Sequence, residues 1–131
     1  MKPKSQTDLA YAAGSFDADG CLVITNVHKH KGKKYYAARP VIIGQSEELM
    51  EWLQDRWAGK VYNHPGAYNW RPSNSQEFVG DILDFLIVKK EIALLALEFW
   101  GAARGSDKSN YAVRSKELNG KIAKAFHETN K

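Results

Sequence analysis

The run Ala12-Ala13-Gly14-Ser15-Phe16-Asp17-Ala18-Asp19-Gly20 constrains this chain more than any other feature. Ser5 or Thr7 can cap a helix ahead of it, with Asp8 placed in the first turn where the helix dipole favours an acid. The helix is expected over Leu9–Asp17, with Gly20 as a left-handed stop. Its middle, Ala10–Gly14, is built almost entirely of small side chains. Two carboxylates two residues apart at the C-terminal end offer oxygen ligands to a hard divalent cation, and the free carbonyls there add partial negative charge. Asp-x-Asp-Gly alone also fits calcium loops, phosphatases and glycosyltransferases. An EF-hand is excluded because no acid follows before Glu47. A parallel-sheet phosphatase would put the motif directly after an apolar strand, not after a small-residue helix. The plainer alternative is that Asp17 and Asp19 only end a helix and open a turn.

Charge distribution adds a second constraint. From Gly20 through Ser46 there is no Asp or Glu, while Lys29, Lys31, Lys33, Lys34, Arg39, His28 and His30 all fall there. The sign then reverses with Glu47, Glu48, Glu51 and Asp55. A segregated basic segment is the footprint of a phosphate-backbone binder, and a solvated hairpin tip is the alternative. At 131 residues and net charge +4, the chain suits one domain with its own core. No apolar run is long enough to cross a bilayer, and the start MKPKSQTD lacks the apolar core of a signal peptide. Cys21 is the only cysteine, so neither an internal disulfide nor a zinc cluster is possible, and a reducing intracellular compartment is expected.

Patterning predicts the remaining elements. Cys21–Val27 and Tyr35–Gly44 read as strands around a Lys31–Lys34 loop, with Pro40 arguing for an edge or a bulge. Ser46–Ala58 is an amphipathic helix, with Leu49, Met50, Trp52, Leu53 and Trp57 on one face. Lys60–His64 and Ala67–Arg71 form a hairpin around Pro65-Gly66. Residues from Gln76 to Gly101 are helical with a break near Val88, and a last helix covers Val113–Glu128. The expected class is α+β, a mostly antiparallel sheet with helices on one face. The core spans residues 8–103, and a helical extension covers 106–131. Trp52, Trp57, Trp70 and Trp100 are assigned to the core, and Cys21 is read as a small filler.

An Ala/Gly-rich stripe ending in Asp-Ala-Asp-Gly resembles the motif of the LAGLIDADG homing endonucleases. Ala13, Gly14, Asp17, Ala18, Asp19 and Gly20 match it, while Ala12, Ser15 and Phe16 depart at its apolar positions. The segment Arg39–Gln45 with the acidic-faced helix after it is similar to the family's second strand and helix. Asp84–Phe99, containing Leu86-Ile-Val-Lys89, resembles its "LIVK" helix junction. The likeness runs in order from Leu9 to Phe99.

The resemblance implies an αββαββα core whose sheet binds double-stranded DNA. It implies a site-specific endonuclease that makes a staggered double-strand break in a long pseudo-palindromic site, as in intron homing. One motif per chain implies a homodimer whose motif helices cross through Ala10, Ala13, Gly14 and Asp17. Asp19 and the Ala18 carbonyl are carried over as ligands of Mg2+, with Mn2+ or Ca2+ able to substitute. Gln45 would organise the hydrolytic water, and Lys89 would lie by the scissile phosphate. Leu49 occupies the place of a basic residue often found early in the second helix. Neither a small-molecule cofactor nor a membrane is implied. The alternative is a relative that binds nucleic acid without cutting, as an intron maturase or a transcriptional regulator.

Strand alternation nominates the DNA-facing residues. On the first strand these are Cys21, Val23, Thr25, Val27 and Lys29; on the second, Tyr36, Ala38 and Ile42. Arg39 joins them through a bulge expected at Pro40, since burying it unpaired is costly. Asn63, Asn69 and Arg71 are nominated on the second hairpin, and Lys31, Lys33 and Lys34 are assigned to phosphates.

Overall fold

Each early helix begins where a short polar side chain can take up a free backbone amide. The computed structural model describes residues 4–30, 33–103 and 106–129, the side chains of 27–30, 33, 34 and 126–129 excepted. Helix α1 spans Gln6–Asp19. The Asp8 amide donates to Ser5 Oγ at 3.1 Å and the Ser5 amide to Asp8 Oδ2 at 3.2 Å, a reciprocal capping box. Ser46 caps α2 (Glu47–Trp57) by accepting from the Leu49 amide, and Asn74 caps α3 (Ser75–Ile82) by accepting from the Glu77 amide. A 3-10 turn, Leu83–Phe85, and a short irregular segment separate α3 from α4 (Lys90–Gly101), which accounts for the break expected near Val88. Helix α5 (Ser109–Thr129) begins earlier than the sequence pattern indicated.

Between the helices run β1 (Gly20–His30), β2 (Lys33–Gly44), β3 (Lys60–His64) and β4 (Ala67–Arg71). They form an antiparallel sheet in the order β1-β2-β4-β3. One face carries Leu22, Ile24, Ala38, Ile42 and Trp70 into the core, against Phe16, Met50, Leu53, Phe78 and Ile92 from the helices. Trp70 is fully enclosed; its indole N–H donates to the Ala58 carbonyl at 2.9 Å, and its ring meets Phe78 edge-on at 4.9 Å. Trp57 is also buried, whereas Trp52 and Trp100 only pack against the cluster. The class is therefore the α+β arrangement expected, with helices on one face and the other face open.

Register corrects one expectation. Thr25 faces Ala37, Val23 faces Arg39, and Leu22 faces Pro40, so odd-numbered residues of both strands share the open face. Arg39 is exposed there with no bulge at Pro40, and the register shift falls between Asn26 and His28 instead. The reason lies in where the proline nitrogen points. The Leu22 carbonyl and Ile24 amide bond outward to α5, so Leu22 and Pro40 do not exchange ladder hydrogen bonds. The Pro40 nitrogen therefore points away from β1, beyond the end of the β2–β4 pairing, which runs only from Ile42 to Gly44. No amide is required there.

The outer edge of β1 is covered by side chains of α5. Ser115, fully buried, accepts from the Ile24 amide at 3.0 Å, and Asn119 Nδ2 donates to the Leu22 carbonyl at 3.0 Å. Residues four apart lie on one helix face, so a single turn of α5 satisfies both strand groups. Gly20 also differs from its expected role. Its φ is −86°, ordinary extended backbone, but a Cβ there would lie 2.4 Å from the Phe16 ring. Glycine is required by space, not by handedness.

Candidate functional site

Antiparallel pairing gathers the motif residues at one end of the sheet. β1 starts immediately after Asp19, β2 ends immediately before Gln45, and Gly20 faces Ile42. Asp19 and Gln45 thus emerge at the same end, both exposed, together with the Pro65-Gly66 turn. Gln45 lines an open pocket of about 550 Å³ with Asn63, His64, Gly66, Ala67 and Tyr68.

Lys89 is brought to this end by Asp17. The Asp17 carboxylate accepts the amides of Ile87 (2.8 Å), Val88 (3.2 Å) and Lys89 (2.9 Å), the segment that leads into α4. It thereby fixes the backbone entering α4, up to and including the N-cap residue Lys89, whose own side chain makes no capping bond. The Lys89 ammonium in turn donates to the Asp17 carbonyl at 2.5 Å, so the lysine is folded back onto the end of α1. Only 6% of Lys89 is exposed. Burial lowers its pKa below the usual lysine value, opposed by the nearby Asp17, Cys21 and Asp19. The result is a largely desolvated cation tethered beside an exposed carboxylate.

Several expected placements change. Asp17 is engaged with the α4 entry rather than presented to a second helix, and Ala13 is fully buried in the core. Both leave the outer face of α1, where Ala10, Tyr11, Gly14, Ala18 and Asp19 are exposed. Tyr36 packs against the core, and Ala38 and Ile42 belong to it, because the β1–β2 register sets even residues of β2 inward. Asn63 faces Tyr68 and shares its face with Val61, which packs against the core, so of the three residues nominated on the second hairpin Asn69 and Arg71 lie on the open face and Asn63 does not. The alternation that grouped Val27 and Lys29 with Thr25 is interrupted by the shift after Asn26. The side chains of Val27, Lys29, Lys33 and Lys34, and Lys31 altogether, lie outside the described residues.

Lys60 and Tyr62, not among the nominated residues, share the open face with Asn69 and Arg71. Lys60 faces Arg71, and Tyr62 faces Asn69 with the Arg71 guanidinium 5.1 Å from its ring centre. A two-residue Pro65-Gly66 turn fixes that pairing, so the signal was present in the sequence. Among the described residues no strand contains an acid: all 15 Asp and Glu residues fall elsewhere.

Asp19 and the Ala18 carbonyl form an all-oxygen donor pair, the type that suits Mg2+ or Ca2+. Among the described residues no three His, Cys, Asp or Glu side chains gather as a metal cage. No helix among the described residues is long and apolar enough to cross a membrane.

No protein-family model and no curated protein matches the sequence. Solved structures do match. The homing endonuclease I-CvuI, in a DNA complex with magnesium, superposes with a TM-score of 0.72 at 19% identity, covering 90% of this chain and 81% of that one. The archaeal intron-encoded homing endonuclease I-Vdi141I, complexed with DNA, gives 0.66 at 19% identity over 90% and 83% of the two chains. I-SmaMI, bound to uncleaved DNA with calcium ions, gives 0.56 at 21% identity; 84% of this chain covers only 41% of that protein. With its motif at the end of α1 and this sheet beneath, the chain has the fold of the LAGLIDADG homing endonucleases.

Proposed function

We propose that this chain is one subunit of a homodimeric, site-specific DNA endonuclease that makes a staggered double-strand break. The observation that carries the reading is Lys89, tethered to the Asp17 carbonyl within the field of exposed Asp19, at the end of a sheet without a single acidic strand residue. The open face, with Thr25, Arg39, Asn69 and Arg71, lies along the major groove, where base edges are distinguishable. Lys31, Lys33 and Lys34 contact phosphates and add affinity rather than specificity.

Two copies meet through the outer face of α1, with Ala10, Gly14 and Ala18 allowing close approach of the backbones. That I-SmaMI extends well beyond one such unit supports a need for two. The crossing brings the two Asp19 carboxylates together, and their mutual repulsion calls for cations between or beside them. Asp19 and the Ala18 carbonyl would hold Mg2+, which when bound supplies positive charge against the scissile phosphate. The Gln45 amide orients the attacking water. Its oxygen bonds to phosphorus, the P–O3′ bond breaks, and a 5′-phosphate and 3′-hydroxyl result. The Lys89 ammonium faces the charge developing on the phosphate; partial desolvation strengthens that attraction. The two sites face each other across the minor groove and leave 3′ overhangs. The lone thiol, Cys21, suits a reducing intracellular setting.

The test is cleavage of a randomised duplex library with and without Mg2+, with the cut positions read out. Paired, offset cuts that require the cation support the proposal. Tight DNA binding without cutting would place the chain with maturases or transcriptional regulators.

A further inference from the structure

The open face of the sheet carries mainly polar or aromatic groups, apart from Ala37, Ala67 and a cluster of four neighbouring positions. Cys21 faces Val41 across the β1–β2 ladder, and Val23 and Ile43 flank that pair on the same face. Ile43 remains 43% exposed, with its methyl groups on a surface that no helix covers. Cys21 follows Asp19 by two residues and Ile43 precedes Gln45 by two, so the cluster lies at the catalytic end. Its borders are hydrogen-bond donors: Arg39 faces Val23, and Asn69 faces Ile43. An apolar protein partner would gain little from an acid-free, arginine-bordered setting, whereas a polyanion does. The major-groove edge of DNA offers one apolar group, the thymine 5-methyl.

We infer that Val23, Val41 and Ile43 determine specificity by contacting thymine methyl groups at the base pairs beside the cleavage positions. This rests on the DNA-binding reading above. Arg39 and Asn69 then read acceptors of the adjacent pairs, and the aliphatic cluster discriminates T·A from C·G by the methyl alone. The two-fold arrangement repeats the preference in both half-sites.

The 131-residue chain is used to select binders from a randomised duplex library, and each enriched thymine near the cut is then replaced by deoxyuridine, which removes only the methyl. Thymine is expected at symmetric positions next to the cuts, with binding about fourfold weaker for each methyl removed. Ile43→Ser, at an exposed position, is expected to fold and to reduce the thymine-over-uracil preference. Val41→Thr, nearly isosteric, provides a second variant and should shrink the same ratio. Equal binding of both duplexes by the unmodified protein, or no thymine near the cuts, overturns the inference while leaving the endonuclease reading intact. A full uracil penalty retained in both variants also overturns it. Failure to bind any duplex overturns the endonuclease reading itself.

Discussion

Replacing Asp17 by Asn changes no volume but converts one acceptor into a donor. Oδ2 accepts from Ile87 and Oδ1 from Val88 and Lys89. An asparagine oxygen at the Oδ1 position keeps two of these bonds without their charge, while its NH2 group opposes the Ile87 amide across the former 2.8 Å bond. A hydrogen bond to a charged acceptor contributes about 1.5–3 kcal/mol. Ile87 is well exposed, so water replaces part of the loss, and Asp17→Asn is expected to cost about 2 kcal/mol. Urea denaturation measures this directly. A second readout separates positioning from stability. If Asp17 acts on cleavage through Lys89, Asp17→Asn lowers single-turnover cleavage in the wild-type background but adds nothing to Lys89→Met. Unchanged stability within about 0.5 kcal/mol, or additive losses in the double variant, would refute the clamp.

Lys89→Met is expected to slow single-turnover cleavage strongly, to a residual rate still measurable, yet leave the fold as stable or about 1 kcal/mol more stable, because a desolvated cation is removed. Its folded pKa lies below the unfolded value, so the unfolded chain binds the extra proton. Wild-type stability should therefore gain, relative to the variant, as pH rises from that lowered value through 10.5; a denaturation series in which the difference stays flat would count against it. Asp19→Asn should eliminate cleavage and preserve DNA affinity, measured by gel shift beside a nicking assay, because the exposed carboxylate supports no packing. Gly14→Leu should give a folded monomer by sedimentation, since a Cβ there meets nothing within 4 Å in its own chain. Ser115→Ala strands the buried Ile24 amide and should cost about 1–3 kcal/mol in urea titration.

Element types were legible because local chemistry agrees with global packing: caps at Ser5 and Ser46, the Pro65-Gly66 turn, and the apolar face of α2 all point one way. The motif placed Asp19 at the helix end without any coordinates. Side-chain direction on β2 was harder. It depends on pairing parity, and a one-residue slip put Tyr36, Ala38 and Ile42 outward where Ala37, Val41 and Ile43 lie, while Arg39 reaches the open face without the bulge expected for it. Pro40 lacks an amide, which in the sequence alone argues for a bulge; the structure needs none because β4 does not extend that far. Asp17 could not be separated from Asp19 by spacing alone, since its partners lie 70 to 72 residues away. Ala13 shows the same limit: a small residue suits a tight core and a helix crossing equally.

The seal on β1 has a consequence for how the chain is made. Ser115 reaches Ile24 across 91 residues and Asn119 reaches Leu22 across 97. Synthesis runs from the N-terminus, so the hairpin and the helices through α4 leave the ribosome before the residues that cover the strand. During that interval Leu22 and Ile24 sit on a bare edge able to pair with any passing strand, including another nascent copy. Contacts at such sequence separation are costly in loop entropy and form late. Helix α5 is then a closing step that fixes when the product becomes safe from self-association, and a chain cut before Ser109 should precipitate even though it carries every residue of the proposed catalytic end.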